Sequence, residues 1–403
     1  MSNKIKYFFV ALPVLAFIAW IGNSTIHYFT HEINPKISFV GLVNHGSYAE
    51  KLSCSIKSTG SYKVKMLNAW LDNKEYDLGD AKFIRRRLFE APVIIELENL
   101  ENGPHTFEVE AIDSSYNQNK TREKVTFLVD NLPLKAEYLE QRYTVEQGKT
   151  LHLKVQINKP VVRARISFLS KDYFFYPESE GSTLYECFIP IDCEEKTIDM
   201  TAQTEITDAV NNTLKLSCAI QIKPFAFKKQ RGFTVSEEKL EQEKEISMNT
   251  KILRDAIDKW LADSPHKKLW NGPFEYPIEV QRVSTPFGEV RTTPQRGRYH
   301  HKGIDLVNRP RSVVWAAQHG KIIIKDRFLM TGNTIVIDHG LEIFTLYAHL
   351  EDFGDVHVGD MVQKGNPIGR LGMTGYASGY HLHWEMLVHG VQVDPVEWTT
   401  NIH

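Results

Sequence analysis

A chain of 403 residues is too long for one ordinary domain, and at roughly 150 residues per domain it should hold two or three. Its 48 Lys+Arg stand against 50 Asp+Glu, a near balance that excludes the basic footprint of a nucleic-acid binder. A hydrophobic content of 42% with 11% aromatics supplies packed cores and excludes a largely disordered chain.

At the N-terminus Lys4 and Lys6 precede an uncharged run from Tyr7 to Gly22, the order of a basic and then an apolar export signal. Sixteen helical residues cover about 24 Å against a hydrocarbon core of about 30 Å, which is short for a spanning helix. Bulky Trp20 and Ile21 close the run, and Gly22-Asn23-Ser24 is the only small-x-small tripeptide nearby. Residues 1–26 therefore read as an uncleaved anchor in the cytoplasmic membrane, with a cleaved signal peptide as the alternative. The lysines put the N-terminus inside and the rest of the chain outside, in the cell envelope.

From 33 to 131 short alternating runs such as Thr106-Phe107-Glu108-Val109-Glu110-Ala111 have strand spacing, and Thr126-Phe127-Leu128-Val129-Asp130-Asn131 resembles the last strand of an immunoglobulin-like module. A second β-rich stretch runs from 132 to 224, with Leu151-His152-Leu153-Lys154-Val155 and Leu214-Lys215-Leu216-Ser217-Cys218 as strands. Two immunoglobulin-like sandwiches in tandem are expected, as a spacer or as a dock for envelope proteins. Cys54, Cys187, Cys193 and Cys218 match no zinc-knuckle spacing, and the last three have either one disulfide or small buried hydrophobes as their reading. A helical connector is expected over 225–268: Thr234-Val235-Ser236-Glu237 has the form of a capping box, and Leu240, Ile252, Leu253, Ala256, Ile257 and Trp260 follow at helical spacing.

The chemistry gathers in 269–403, a Gly-rich β segment holding ten of the sixteen histidines. Three motifs organise them: His301-Lys302-Gly303-Ile304-Asp305, Tyr347-Ala348-His349-Leu350 and His381-Leu382-His383. On a strand, residues two or four apart share a face, so His301 with Asp305, and His381 with His383, can converge. Two imidazoles and a carboxylate hold zinc and leave a fourth position open, the arrangement of a catalytic site. Each motif alone is weak; their joint occurrence between apolar strands is not. His319, His339, His357, His389 and His403 fall in turns or near the terminus and read as solvated. His300 should point away from His301.

Read in order from Ser284-Thr285-Pro286-Phe287-Gly288 to His381-Leu382-His383-Trp384-Glu385, these motifs resemble the lysostaphin/LytM-type metallopeptidases over roughly a third of the chain. The resemblance implies an antiparallel β-sheet peptidase domain, a Zn2+ cofactor held by His301, Asp305 and His383, catalytic roles for His349 and His381, and peptidoglycan stem peptides or cross-bridges as substrate. It also places Asn333 on a loop that approaches the metal in latent relatives, against the plainer reading of a turn residue, and Tyr347 at the groove wall, against plain strand packing. Ala377-Ser378-Gly379-Tyr380 departs from the family's usual Ser-Thr-Gly-Pro, which bears on groove shape. The fold expected is mainly β throughout. The competing functions are a non-catalytic envelope regulator that activates a cell-wall amidase, whose degenerate relatives lack ligands that this chain keeps, and an adhesion protein, which would leave the histidines unexplained.

Overall fold

The computed structural model describes residues 2–230, 251–293 and 297–400, which fall into two compact units: Met1–Pro133 with Ala209–Asn212, and Leu134–Asp208 with Thr213–His403. The chain is mainly β, and in the second unit the strands expected in 132–224 and those expected in 269–403 share one body.

In the first unit a helix runs from Ser2 to Thr30. It is longer than the apolar run read from sequence, but the added residues include the polar Asn23, Ser24, Thr25 and His27. Among the described residues no helix is long and apolar enough to cross a membrane, so the spanning anchor is not supported. The strands that follow make one seven-stranded sheet. Its organiser is the 21-residue strand Lys51–Leu71, which pairs with Arg86–Glu96 along its first half and with Gly103–Asp113 along its second. Pairing through that strand joins the whole stretch into one hydrogen-bonded sheet, whose strands enclose a core of Ile56, Leu67, Phe107 and Phe127.

The second unit begins with a true pair of sheets, of four and five strands, enclosing a core of Leu151, Leu153, Val155, Ile166, Ile189 and Ile220. Alternate residues of Thr150–Ile157 are buried, as period-two patterning requires of a strand with one face in a core. Cys187 and Cys218 pack in this core, and all four cysteines are free and buried, so the hydrophobe reading holds over the disulfide.

A ten-stranded antiparallel sheet and a two-stranded ribbon, Val290–Thr293 with Gly297–His300, make up the other strands. The sheet's middle strands, Gly332–Asp338, Ile343–Phe353 and Leu382–Val388, are buried along most of their length because both faces are covered. One face carries Ile335, Tyr347, Trp384 and Met386 into the main core. The opposite face carries Val336, Phe344, Leu346 and Leu387 against Leu253 and Ile257. Those two residues lie on a helix over 251–261, so the last part of the expected connector packs on the sheet; its capping box and Leu240 lie outside the described residues. Phe188 of the sandwich reaches into the main core, with ring centroids 5.8 Å from Trp270 and 5.6 Å from Trp398.

Candidate metal centre and active site

On the strand Leu382–Val388 the even positions face the main core, which leaves His383, Glu385 and Leu387 on the other face. Leu387 lies under the helix, while His383 and Glu385 lie in a groove where that cover stops. Register extends the row: Thr285 pairs with Asp305, Asp305 with His383, and His383 with Ala348. His301 arrives differently from expectation. It follows the strand Gly297–His300, and the strand Ile304–Val307 begins only after Gly303, so His301 and Asp305 meet across a break between two strands. The break needs glycine, since a Cβ at Gly303 would stand 2.7 Å from His383 Cε1 and 2.8 Å from its Nε2.

His301, Asp305 and His383 each offer a donor atom within 4.8 Å of the others. Asp305 Oδ1 lies 3.2 Å from His301 Nε2 and 2.8 Å from His383 Nδ1. The other nitrogen of each ring is held from behind: His301 Nδ1 by the carbonyl of Pro286 at 3.2 Å, His383 Nε2 by Glu385 Oε1 at 2.9 Å. Gln392 Nε2 donates in turn to Glu385 Oε2 at 3.2 Å. An imidazole tied at one nitrogen presents the lone pair of the other, and both presented nitrogens face the same carboxylate.

The electrostatics agree. Burial alone would raise the Asp305 carboxyl, but its bonds to His301 and His383 hold it far below the usual range. Burial disfavours a charge on His383, yet Asp305 and Glu385 lift it to about 10. The pocket thus demands a cation, which a proton meets here and a divalent metal with nitrogen and oxygen preference would meet as well. The donor set fits zinc.

His349 and His381 stand beside this triangle, their ring centroids 4.7 Å apart, and His349 is 6.1 Å from the His383 ring. Strict alternation along Ile343–Phe353 would send His349 to the core side with Tyr347. A bulge prevents it: the residue has φ 61°, its N–H bonds to the carbonyl of Thr331 at 2.8 Å, and the register shifts on both sides of the strand. His349 Nδ1 and His381 Nδ1 are each tied to a backbone carbonyl at 2.8 Å, those of Thr374 and Gly379. Both therefore keep Nε2 as the basic nitrogen. Burial, then the nearby His383 and His381, push His349 down to about 3, so its lone pair is available at neutral pH.

Other sequence readings resolve individually. His300 turns from the triangle to the ring of Phe227 at 5.0 Å and to Glu194 at 3.6 Å. Tyr347 is fully buried strand packing, its hydroxyl taking the N–H of Ala317 at 2.8 Å. Asn333 spends its side-chain amide on the carbonyls of Leu350 and Glu351, the turn-residue role. Ala377 to Tyr380 line the groove. His339, expected in solvent, is wholly buried between the carbonyl of His319 and Thr345, and burial pushes it down to about 4. His319 and His389 are half-buried, His357 is exposed and His403 lies outside the described residues. Glu385 is the residue whose place in the site the motifs did not announce; its offset of two from His383 on a strand was the available signal.

Residues 299–395 are a Peptidase family M23 domain. Over 120 residues the chain is 36% identical to the peptidoglycan DD-endopeptidase ShyC of Vibrio cholerae, covering 30% of this chain and 28% of the relative. It is 37% identical over 121 residues to the DD-carboxypeptidase/endopeptidase Mpg of Neisseria meningitidis, 30% of this chain and 27% of that one. The matched segment thus spans under a third of the length of these relatives. A solved catalytic domain of the antimicrobial peptidase lysostaphin from Staphylococcus simulans aligns at 23% identity and a TM-score of 0.27, covering 36% of this chain and 97% of that one.

Proposed function

We propose that this chain, through its M23 domain, is a zinc-dependent endopeptidase that hydrolyses peptide bonds in the stem peptides or cross-bridges of bacterial peptidoglycan. The observation that carries the reading is the convergence of His301, Asp305 and His383, with the imidazoles of His349 and His381 together beside them. His301, Asp305 and His383 would hold the metal, and zinc held there would supply Lewis acidity to polarise the scissile carbonyl and ease attack by water. Asp305 supplies the negative charge, and Glu385 fixes His383 in the tautomer that offers Nδ1. His349 and His381, each tied through Nδ1 to a backbone carbonyl, present Nε2 to accept the proton of the attacking water and return it to the leaving amine. The relatives named as endopeptidases support the substrate class, and a peptidoglycan substrate agrees with the cell-envelope location expected from the N-terminal sequence.

Digestion of purified peptidoglycan sacculi by the zinc-loaded chain, with mass spectrometry of the released muropeptides, tests this directly. New amino termini within the peptides are expected. Intact peptides, with glycan released only when an amidase is added, would favour the regulator instead.

A further inference from the structure

The cavity around the metal centre has a volume of about 1030 Å³, and its charge is lopsided. Among the described residues six lysines and arginines line it, against the three acids Glu194, Asp305 and Glu385. Asp305 and Glu385 are turned onto histidines, and Glu194 stands 3.6 Å from His300. Some of the cations are also engaged: Lys302 bonds to Asp192 at 2.8 Å, and Arg254 bonds to the carbonyl of Gly390. The exposed side chains of Arg282 and Arg298, by contrast, have no hydrogen bond or ion pair among the described residues. Arg291 is half engaged. Its Nη2 donates to Thr285 Oγ1 at 3.0 Å and Glu289 lies 3.6 Å from its Nε, but that buried Nε–H has no hydrogen-bond partner.

Arg298 lines the cavity from the strand Gly297–His300, three residues before His301, and the other two arginines are placed by strand pairing. Thr285, which anchors Arg291, is the strand partner of Asp305, and Arg282 is the partner of Val307. Val307 is two residues, about 7 Å, along the strand from Asp305 on the same face. Guanidinium groups in a partly enclosed groove match the fork of a carboxylate, which a neutral amide cannot replace. An oligoglycine bridge offers that wall only amides, whereas a stem peptide carries free carboxylates.

We infer that Arg282 and Arg298, backed by Arg291, form a carboxylate subsite beside the metal centre, and that the peptide cut here carries a free carboxylate within a residue or two of the scissile bond. The inference rests on the peptidase reading for the identity of the ligand. Its test uses the full zinc-loaded chain and two probes: a cross-linked stem-peptide dimer with free carboxylates, and the same dimer with those groups converted to amides. Each is made both with its natural scissile bond, for kinetics, and with that bond replaced by a ketomethylene link, for calorimetry. The acid should bind about tenfold tighter than the amide, as expected for a charge-assisted contact at a partly exposed site. Arg282→Gln and Arg298→Gln should each reduce that preference and together erase it, raising KM for the acid with kcat and zinc content unchanged. Equal affinity for acid and amide in the native chain, or variants that weaken both alike, would overturn the subsite. A binding preference without hydrolysis of dimer or sacculi would refute the peptidase reading and leave the subsite standing.

Discussion

The second unit buries two carboxylates that look alike on paper and differ in what their neighbours can do. Glu186, on a strand of the sandwich, lies against His152, Lys154 and Lys268 at 3.5, 3.2 and 3.0 Å. Burial alone would raise it, but His152 and Lys268 hold it well below the usual carboxylate range. Asp305 is held low in the same way, by His301 and His383. The difference is in the donors. Two of the three partners of Glu186 are ammonium groups, which have hydrogens and no lone pair, so they cannot ligate a metal beside the carboxylate. The imidazoles around Asp305 are tied at their far nitrogens, so that a cation could replace the protons between them. Buried charge by itself marks stability or function without distinguishing them; the chemistry of the partner atoms separates the two.

The largest effect expected from breaking this contrast is at the triangle. His383→Ala should abolish zinc binding and hydrolysis together, as read by metal analysis of the purified chain. Unchanged zinc occupancy would show that the ligands have been misassigned. Next come His349→Ala and His381→Ala, which should keep zinc and fold but lose about a hundredfold to ten-thousandfold in rate. Full activity in both would remove the proposed proton transfer. Loss of zinc in His381→Ala alone would mean that the two histidines exchange roles.

Glu385→Gln should act more gently, lowering zinc affinity by about tenfold to a hundredfold, because Gln is a weaker acceptor for His383 Nε2–H. Competition with a chelator measures it, and an unchanged affinity would make Glu385 a packing residue only. The smallest effect on chemistry belongs to Glu186→Gln, expected to leave zinc and kcat alone while costing about 2 kcal/mol of stability. Its pH signature follows from the lowered carboxyl. Stability from Glu186 is present above its ordinary value of 4.5 and is lost as pH falls toward the folded-state value. Acid titration of the variant should therefore be shallower than that of the native chain, and identical curves would sever Glu186 from acid stability.

Much of the site was legible because ligand chemistry is local in type and strand periodicity is local in space. The i, i+2 spacing put His381 and His383 together, and Asp305 needed only register to join them. His349 reached the same groove against periodicity, by a left-handed bulge that no side-chain pattern encodes. His339 misled in the other direction: a Gly-flanked turn read as exposed, but the main core closes over it. At the N-terminus an apolar run is a composition, while a spanning helix must sustain apolarity over its whole length, which no helix among the described residues does.

By itself the sequence determined the mainly β class, the residue types for a metal site and the family of the last third, since composition, period and motif order are properties of the chain alone. Only the tertiary structure decided that Glu385 braces His383, that the sandwich shares a core with the ten-stranded sheet, and that a chain with net charge −2 lines its groove with cations. Each of those depends on which residues, distant in sequence, are left facing one another once hydrophobic burial has chosen the faces of the sheet.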